Sequence, residues 1–219
     1  MNIIDLSHTL NNDTPVYPGT EKPVFTQANT IEKDGFTETK ISMYSHTGTH
    51  MDAPAHMISG TKTLDAFEPS KFYGTAICID CTGLLNCTIS EAHLLSFSNI
   101  ISQVDFILLK TGWSKYWTKQ EYFDEFPTLS ISACKWLCNF NLKGVGIDTI
   151  SIDKMESSSM ENHHILLKHG MVIIENLNNL QDAGNEVFTF SCFPLKFKNS
   201  DGAPVRAVAI LDQQLSSKE

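Results

Sequence analysis

The chain has 219 residues, of which 42% are hydrophobic and 19% are charged, proportions that exclude the composition of a disordered chain. The 16 basic and 25 acidic side chains give a formal charge of -9, and such a field repels polyanions such as nucleic acids. No apolar run reaches the ~20 residues that span a bilayer, and the N-terminus does not resemble a signal peptide. We therefore expect one domain over residues 1–219, in the cytoplasm, with neither a nucleic acid nor a membrane as partner.

The first third of the sequence is typical of strands and loops. Residues 3–6 (IIDL) are apolar, and residues 37–45 (TETKISMYS) alternate β-branched or aromatic side chains with polar ones. The stretch between these segments is rich in turn-forming residues: Pro15, Pro18, Gly19 and Pro23. This pattern predicts strands joined by loops, with few helices.

From residue 73 onward, apolar segments typical of strands alternate with helical patterns. The helical patterns lie near residues 90–97, 130–140 and 161–169. The apolar segments are TAICID, VDFILLK, VGID, MVIIE, VFTFSCF and VRAVAIL. Nearly continuous hydrophobicity, clearest in VDFILLK, is typical of strands that are covered on both faces. The alternation predicts an α/β fold.

The six cysteines are expected to be reduced, because thiols rarely form disulfides in the cytoplasm. Cys78 and Cys81 lie in an apolar segment, and Cys134 and Cys138 lie four residues apart in a helical pattern. Since free cysteine is among the most buried residue types, we expect these four to pack in the core. A zinc site formed by the four thiols is the alternative.

The segment SHTGTHMDAPAHM at residues 45–57 is the most unusual of the chain. It holds His46, His50, Asp52 and His56, so three of the eight histidines and one carboxylate fall within eleven residues. Imidazole nitrogens and a carboxylate are the ligands that Zn, Mn or Fe accepts. Several titrating groups held together without a cation would be costly, so this segment predicts a metal site.

The spacing of these four residues indicates how the segment folds. All occupy even positions, so an extended chain projects them from one face. A straight strand would spread them over roughly 33 Å, which is too far for one site. We therefore expect the chain to turn back on itself at Gly48 and Pro54, the two residues best suited to turns.

A second source of ligands is expected in the segment ENHHILLKHGMVIIENL. If residues 161–169 form a helix, His163 shares the apolar face with Leu166 and Leu167, whereas His164 does not. Glu175 ends the apolar strand that follows, and functional groups are common at the ends of strands in α/β proteins. We therefore expect His163 and Glu175 to be the further metal ligands.

The segment GIDTISID carries two further carboxylates, Asp148 and Asp153. It lacks the glycine and the final glutamate of an EF-hand calcium loop, so we exclude that function. We expect the two aspartates to organise loops beside the site.

The string HTGTHMDAPAH at residues 46–56 resembles the HxGTHxDxPxH motif of the metal-dependent cyclase-like hydrolases, a family that includes bacterial kynurenine formamidase and isatin hydrolase. The resemblance extends over nearly the whole chain. Its further elements are DLSHTL at 5–10, YPG at 17–19, TGW at 111–113, GIDTISID at 146–153, HHILL at 163–167 and ENL at 175–177. The resemblance implies a mixed α/β sheet of the swivelling β/β/α type and a homodimer or homotetramer.

The resemblance also implies a centre with one or two divalent ions per chain, Zn or Mn. In this family the three motif histidines, the aspartate and the later His and Glu surround the ions. Carried over to this sequence, the implied ligands are His46, His50 and Asp52 for one ion, and Asp52, His163 and Glu175 for the other.

Two further roles follow from the resemblance. His56 corresponds to the family's catalytic acid/base, and Tyr17 stands where kynurenine formamidases typically carry a tryptophan that contacts the substrate. A metal with an open position activates water at neutral pH and polarises an amide carbonyl, while His56 transfers a proton to the departing nitrogen. The expected function is hydrolysis of a small-molecule amide, with arylformamidase action on N-formylkynurenine in tryptophan degradation as its most specific form.

Three other functions stay open on sequence alone. The first is hydrolysis of a cyclic amide such as isatin. The second is a metal-dependent lyase or dehydratase, since the same Lewis acid and histidine can move protons in that reaction. The third is a metal-binding module without turnover, in which the histidine segment only stabilises the fold.

Overall fold

Nine strands form one mixed sheet in a computed structural model that describes residues 1–84 and 88–211. Two further pairs of short strands lie outside this sheet. The strands are β1 (Asn2–Asp5), β2 (Val24–Asn29), β3 (Glu38–Ser42), β4 (His50–Asp52), β5 (Tyr73–Asp80), β6 (Thr88–Ile89), β7 (Phe106–Lys110), β8 (Thr128–Leu129), β9 (Gly144–Ile147), β10 (Val172–Glu175), β11 (Phe188–Ser191), β12 (Gly202–Pro204) and β13 (Val208–Leu211).

The order of strands in the large sheet is β1-β13-β11-β5-β7-β9-β10-β4-β12. Its centre is parallel, because β5, β7, β9 and β10 each pair in parallel with the next. Both flanks are antiparallel. The strand β4 therefore lies between β10 and β12, near one edge of the sheet. The mixed α/β class expected from the sequence is confirmed.

The parallel centre is buried on both faces, as the continuous hydrophobicity of VDFILLK predicts. On β7, Phe106 and Leu108 face one hydrophobic cluster, and Ile107 and Leu109 face the other. All four are 0% exposed. The sequence of such a strand is an unbroken apolar run because successive side chains alternate between the two hydrophobic clusters, one on each face of the sheet.

The helices of the described chain are short, and the last four of them pack on one face of the sheet. They are α1 (Ile31–Asp34), α2 (Glu91–Leu95), α3 (Ser98–Ile101), α4 (Ile131–Leu137) and α5 (Glu161–Lys168). Ser90 and Ser130 cap α2 and α4 by accepting a backbone N–H. The three predicted helical regions contain α2, α4 and α5. Among residues 1–84 and 88–211, no helix is long and apolar enough to cross a lipid bilayer.

The cysteines named from the sequence pack in the core. Cys78 lies in the cluster on one face of the sheet, whereas Cys81 and Cys134 lie in the cluster on the other, with Cys138 packed against it. Burial raises the pKa of the Cys78 thiol to about 12. In the part of the chain that the structure describes, no group of potential metal ligands includes a cysteine. The four-thiol zinc site is therefore wrong; Cys87 lies outside the described residues.

Candidate metal centre and active site

The strand β4 carries the centre of the site. His50 and Asp52 project from one face of β4, and Met51 between them is buried in the core on the other. The neighbouring strand β10 places Glu175 directly opposite His50. On the other side of β4, β12 places Gly202 opposite Asp52. Two strands that are far from β4 in sequence therefore supply the walls of the site.

The two expected turns bring the remaining motif residues back to β4. Gly48 has a φ of 67°, a conformation that favours glycine, and the turn returns His46 until its Nδ1 lies 2.7 Å from Asp52 Oδ1. After β4, a single helical turn over Pro54–His56 reverses the chain again. The rings of His46 and His56 then lie with centroids 3.9 Å apart. The structure thus brings the four motif residues together.

The helix α5 supplies His163 from the opposite side. Asp153 accepts the backbone N–H groups of Asn162 and His163, at 3.0 Å each, and so caps the start of α5. His163 is buried, whereas His164 is exposed, as the helical spacing predicts. The Nε2 atom of His163 lies 3.3 Å from Glu175 Oε1 and 3.5 Å from Asp52 Oδ2.

The hydrogen bonds behind two of these histidines decide which ring nitrogen faces the site. His50 Nδ1 lies 2.8 Å from the carbonyl oxygen of Gly48, and His163 Nδ1 lies 2.7 Å from Asp153 Oδ2. A carbonyl and a carboxylate oxygen only accept hydrogen bonds, so each Nδ1 carries a proton and donates it. Both rings therefore present Nε2 to the carboxylates, the arrangement found behind metal-binding histidines.

The distances from His50 and His163 to the carboxylates fit a divalent cation better than direct hydrogen bonds. His50 Nε2 lies 3.3 Å from Asp52 Oδ1 and 3.5 Å from Glu175 Oε2, which is long for a charge-assisted hydrogen bond. Two ligand atoms that are each about 2.1 Å from a tetrahedral ion are roughly 3.4 Å apart. Within residues 1–84 and 88–211, the buried oxygen Asp52 Oδ2 has no hydrogen-bond partner.

Two groups of donor atoms, each within 4.8 Å of one another, match the expected ligand sets. They are His46, His50 and Asp52, and Asp52, His163 and Glu175. Asp52 belongs to both groups, and His46, His56 and Asp201 form a third group of the same kind. Imidazole nitrogen and carboxylate oxygen suit Zn or Mn, and the residues present therefore fit such an ion.

The electrostatics of the centre are dominated by its carboxylates and histidines. Burial favours the neutral form of Asp52, but the charge of His46 and hydrogen bonds from the surrounding histidines hold the pKa of Asp52 well below its usual range. Burial also lowers the pKa of His46, but the charge of Asp52 and a hydrogen bond with Asp201 outweigh it and raise that pKa to about 10. The carboxylates thus attract positive charge strongly.

Asp201 is a residue of the site that sequence reasoning missed. Its Oδ2 atom lies 3.0 Å from His46 Nε2 and 3.4 Å from His56 Nδ1, and Ser45 donates a hydrogen bond to Oδ1. A hydrogen bond with His46 holds the pKa of Asp201 below its usual range. The sequence NSDGAP around Asp201 is typical of an ordinary turn. A turn is compatible with a functional site, but nothing else in the sequence indicates that Asp201 belongs to one.

Asn176 is a second residue that the sequence did not single out. Its amide donates to the Gly48 carbonyl at 2.9 Å, and its Oδ1 accepts from Tyr122 Oη at 2.8 Å. Asn176 has a φ of 57°, which asparagine tolerates better than most residues. It therefore fixes the Gly48 turn, and through that turn the ring of His50.

A cavity of about 400 Å³ opens over the centre. All six residues expected to be metal ligands or acid/base line it. Its apolar wall is formed by Tyr17, Tyr44, Met57, Ile150 and Met160. The structure thus brings Tyr17, the expected substrate contact, to the same cavity, while Asp148 lies apart and binds the backbone of Thr111 and Gly112.

Comparisons with known proteins agree with this geometry. The family model described as "Putative cyclase" matches residues 4–154. A kynurenine formamidase of Bacillus cereus is 32% identical over 208 residues, which cover 94% of this chain and 95% of that protein.

Two solved structures are similar over nearly their whole length. Isatin hydrolase A from Labrenzia aggregata has a TM-score of 0.86 and 26% identity, covering 95% of this chain and 93% of that one. A structure described as a potential metal-dependent hydrolase with cyclase activity has a TM-score of 0.81 and 28% identity, covering 95% and 96%. The matched family model spans more than half of the sequence, and the chain therefore belongs to the cyclase family, whose relatives named here are hydrolases.

Proposed function

We propose that this chain is a cytoplasmic, metal-dependent hydrolase of small amides. The observation that carries the proposal is the buried cluster in which His50 and His163 both turn Nε2 towards Asp52 and Glu175. Such a cluster is costly without a cation. The cluster also forms the base of a cavity, where a bound ion remains accessible to a small molecule.

The residues that would hold the ions are the two groups already described, with Asp52 shared between them. Zn or Mn, one or two ions per chain, is the proposed cofactor. When bound, such an ion supplies Lewis-acid chemistry, polarising a carbonyl and lowering the pKa of water. Asp153 and the Gly48 carbonyl hold the proton on Nδ1 of His163 and His50, so these side chains keep Nε2 available as a ligand atom.

His56 is the proposed acid/base. Its side chain is 25% exposed at the cavity wall, whereas Asp52 is 1% exposed at the base. It therefore lies between the buried cluster and the open part of the cavity, where a substrate amide would be seated. There His56 transfers a proton to the departing amide nitrogen, a contribution typically worth ~10² to 10⁴ in rate.

The cavity supports a small substrate with an apolar or aromatic part. Tyr17 and Tyr44 offer flat rings, and Met57, Ile150 and Met160 offer apolar contacts. N-formylkynurenine, a linear aryl formamide that yields formate and kynurenine, is the first proposed substrate, in line with the kynurenine formamidase relative. Isatin, a cyclic amide, is the second, in line with the similarity to isatin hydrolase A.

The test compares metal content and turnover in wild type, Asp52→Ala and His56→Ala, with His93→Ala as a control outside the cavity. We expect one or two equivalents of Zn or Mn in wild type, loss of metal and turnover in Asp52→Ala, and retained metal with at least 10²-fold lower turnover in His56→Ala. Metal without hydrolysis of either substrate would favour a lyase, a dehydratase or a non-catalytic module. Wild type that binds no added Zn or Mn would refute the proposal.

We also propose that the chain forms a homodimer or homotetramer. The hairpin of β2 and β3 with α1 exposes several large apolar side chains: Val24, Ile31, Phe36 and Ile41, each at least half exposed. A two-stranded ribbon is marginal in water unless it packs against another surface. Light scattering should give two or four chains for wild type and a smaller assembly for Ile41→Asp, and a monomeric wild type would contradict the proposal.

A further inference from the structure

Asp201 joins the two histidines that have different proposed roles. One oxygen, Oδ2, lies 3.0 Å from His46 Nε2 and 3.4 Å from His56 Nδ1. His46 turns its other nitrogen, Nδ1, to Asp52 in the buried cluster. The carboxylate is 48% exposed, so it stands at the mouth of the cavity rather than in the cluster.

The backbone ties Asp201 to the turn that carries His56. The Asp201 carbonyl accepts the N–H of Ala53, the residue immediately before the Pro54–His56 turn, at 2.8 Å. The preceding residue, Ser200, accepts the N–H of Leu64 at 2.9 Å. The carboxylate of Asp201 and the ring of His56 are therefore held by one set of backbone contacts, and Ser45 fixes the second carboxylate oxygen.

This placement determines what Asp201 can do to the His56 ring. A carboxylate beside Nδ1 favours the form in which Nδ1 carries the proton. Nε2 is then the nitrogen that is free to accept a proton and deliver it. The same carboxylate holds the neighbouring His46 ring, which limits the freedom of both rings at their 3.9 Å separation.

We propose that Asp201 is a positioning residue that fixes the tautomer and the orientation of His56. The proposal rests on the proposed function, in which His56 is the acid/base, and it deepens that function by naming the group behind the histidine. Partners that orient metal-binding histidines typically account for 10- to 100-fold in affinity or activity, and we expect an effect of that size for His56. Because Asp201 acts through His56, its loss should lower kcat while KM changes little.

The kinetic test uses Asp201→Ala and Asp201→Asn, with Asp80→Ala as the matched control. Asp80 is 50% exposed and paired with Lys110, but it lies outside the cavity. We expect Asp201→Ala to lower kcat 10- to 100-fold with KM within twofold of wild type, and Asp201→Asn, which keeps an acceptor oxygen, to recover part of the loss. In His56→Ala, removing Asp201 as well should cost little more, because the two residues act as a unit.

A second readout does not depend on activity. In the zinc-loaded protein, ¹⁵N shifts of the His56 ring report which nitrogen carries the proton. We expect the proton on Nδ1 in wild type and a loss of that preference in Asp201→Ala. The same ring state in both proteins would overturn the positioning role even if amides are hydrolysed. The expected ring states without any amide turnover would leave the positioning role standing and refute the proposed function instead.

Metal content separates positioning from ligation. Asp201→Ala should retain the zinc content of wild type. A loss of zinc equal to that in Asp52→Ala would make Asp201 a ligand and overturn the proposal. A rise in KM with unchanged kcat would instead make Asp201 a substrate contact, which also overturns it.

Discussion

Gly202 is the position where adding one methyl group should disable the site. It faces Asp52 across the β4–β12 pair. A Cβ built on Gly202 would clash first with Cε1 of the His46 ring, and it would lie 2.7 Å from Nε2 and 2.9 Å from Nδ1 of the same ring. An ordinary contact begins at 3.4 Å, and because Cε1 is the nearest ring atom, the ring has to move by about 1 Å. Its φ lies outside the left-handed region, so the backbone accepts alanine and only the ring is displaced.

The displaced ring loses its bonds to Asp52 and Asp201, which are 2.7 and 3.0 Å long. A misplacement of about 1 Å can cost ~10²-fold in rate, so we expect Gly202→Ala to lower kcat 10- to 100-fold. We also expect weaker metal binding. Overpacking of this kind costs about 1–3 kcal/mol of unfolding free energy, although replacing glycine in a strand would otherwise gain about 0.5–1 kcal/mol.

A double-mutant cycle isolates the clash. Unfolding free energies are measured by urea titration in the presence of a chelator, so that bound metal does not contribute. Gly202→Ala should destabilise wild type, but in the His46→Ala background, where the ring is absent, it should be neutral or stabilising. The same penalty in both backgrounds, or wild-type kcat and metal content in Gly202→Ala, would refute the reasoning.

Contacts elsewhere in the site and in the fold lead to four more predictions. Asp153→Asn should weaken zinc binding 10- to 100-fold, since it removes the charged partner of His163 Nδ1; competition with a coloured chelator measures this, and an unchanged affinity would contradict it. Removing the metal with a chelator should lower the free energy of unfolding of wild type by about 2.7 kcal/mol, compared with the protein at a free ion concentration of 100 times Kd. This corresponds to a fall of roughly 5–10 °C in Tm, whereas the Tm of Asp52→Ala should not respond to the chelator. Burial, together with neighbouring lysines, lowers the pKa of Lys71 to about 8. Between about pH 8 and the usual lysine range the unfolded chain therefore binds more protons than the folded chain, so the free energy of unfolding of wild type should rise with pH there. Lys71→Met should lose this rise, and identical pH profiles for the two proteins would contradict the lowered pKa of Lys71. Tyr17→Ala should raise KM about 2- to 13-fold, the equivalent of 0.5–1.5 kcal/mol for an aromatic contact, while the KM of Tyr17→Phe should stay near that of wild type. An unchanged KM in the alanine variant would show that Tyr17 does not contact the substrate.

The convergence of the motif residues was predictable because it depends on local rules. Even spacing sets the common face of His50 and Asp52 on β4. A glycine and a proline supply the turns that bring His46 and His56 back to them. The choice of His163 over His164 depends on helical periodicity alone. These patterns lie within short segments, so they can be recognised in the sequence without the tertiary structure.

Asp201 could not be predicted in this way, because nothing local distinguishes it from other aspartates. It reaches the site only through the pairing of β12 with β4, about 150 residues apart in sequence. The strand β12 has three residues, Gly-Ala-Pro, which lack the β-branched and aromatic side chains typical of strands. The role of Asp153 was likewise seen only as loop organisation, since its contact with His163 Nδ1 depends on where α5 begins.

The side chains of the site differ in solvent exposure, and this difference separates a buried group that suits cation binding from a partly exposed group that suits proton transfer. Asp52, His50, His163 and Glu175 are nearly inaccessible, and they are anchored by β4, β10 and α5, elements that also build the core. Carboxylates buried this deeply favour folding only if positive charge accompanies them. Folding and cation binding are therefore coupled in this inner group, and a substitution there should change stability and activity together.

The outer group of His56 and Asp201 is partly exposed and is held by turns rather than by the core. Because water already solvates these side chains in part, their loss should cost little stability. Variants of the outer group should therefore lose turnover while keeping both the fold and the metal. If His56→Ala or Asp201→Ala instead unfolded as readily as Asp52→Ala, the division between an ion-binding interior and a proton-transferring rim would be wrong.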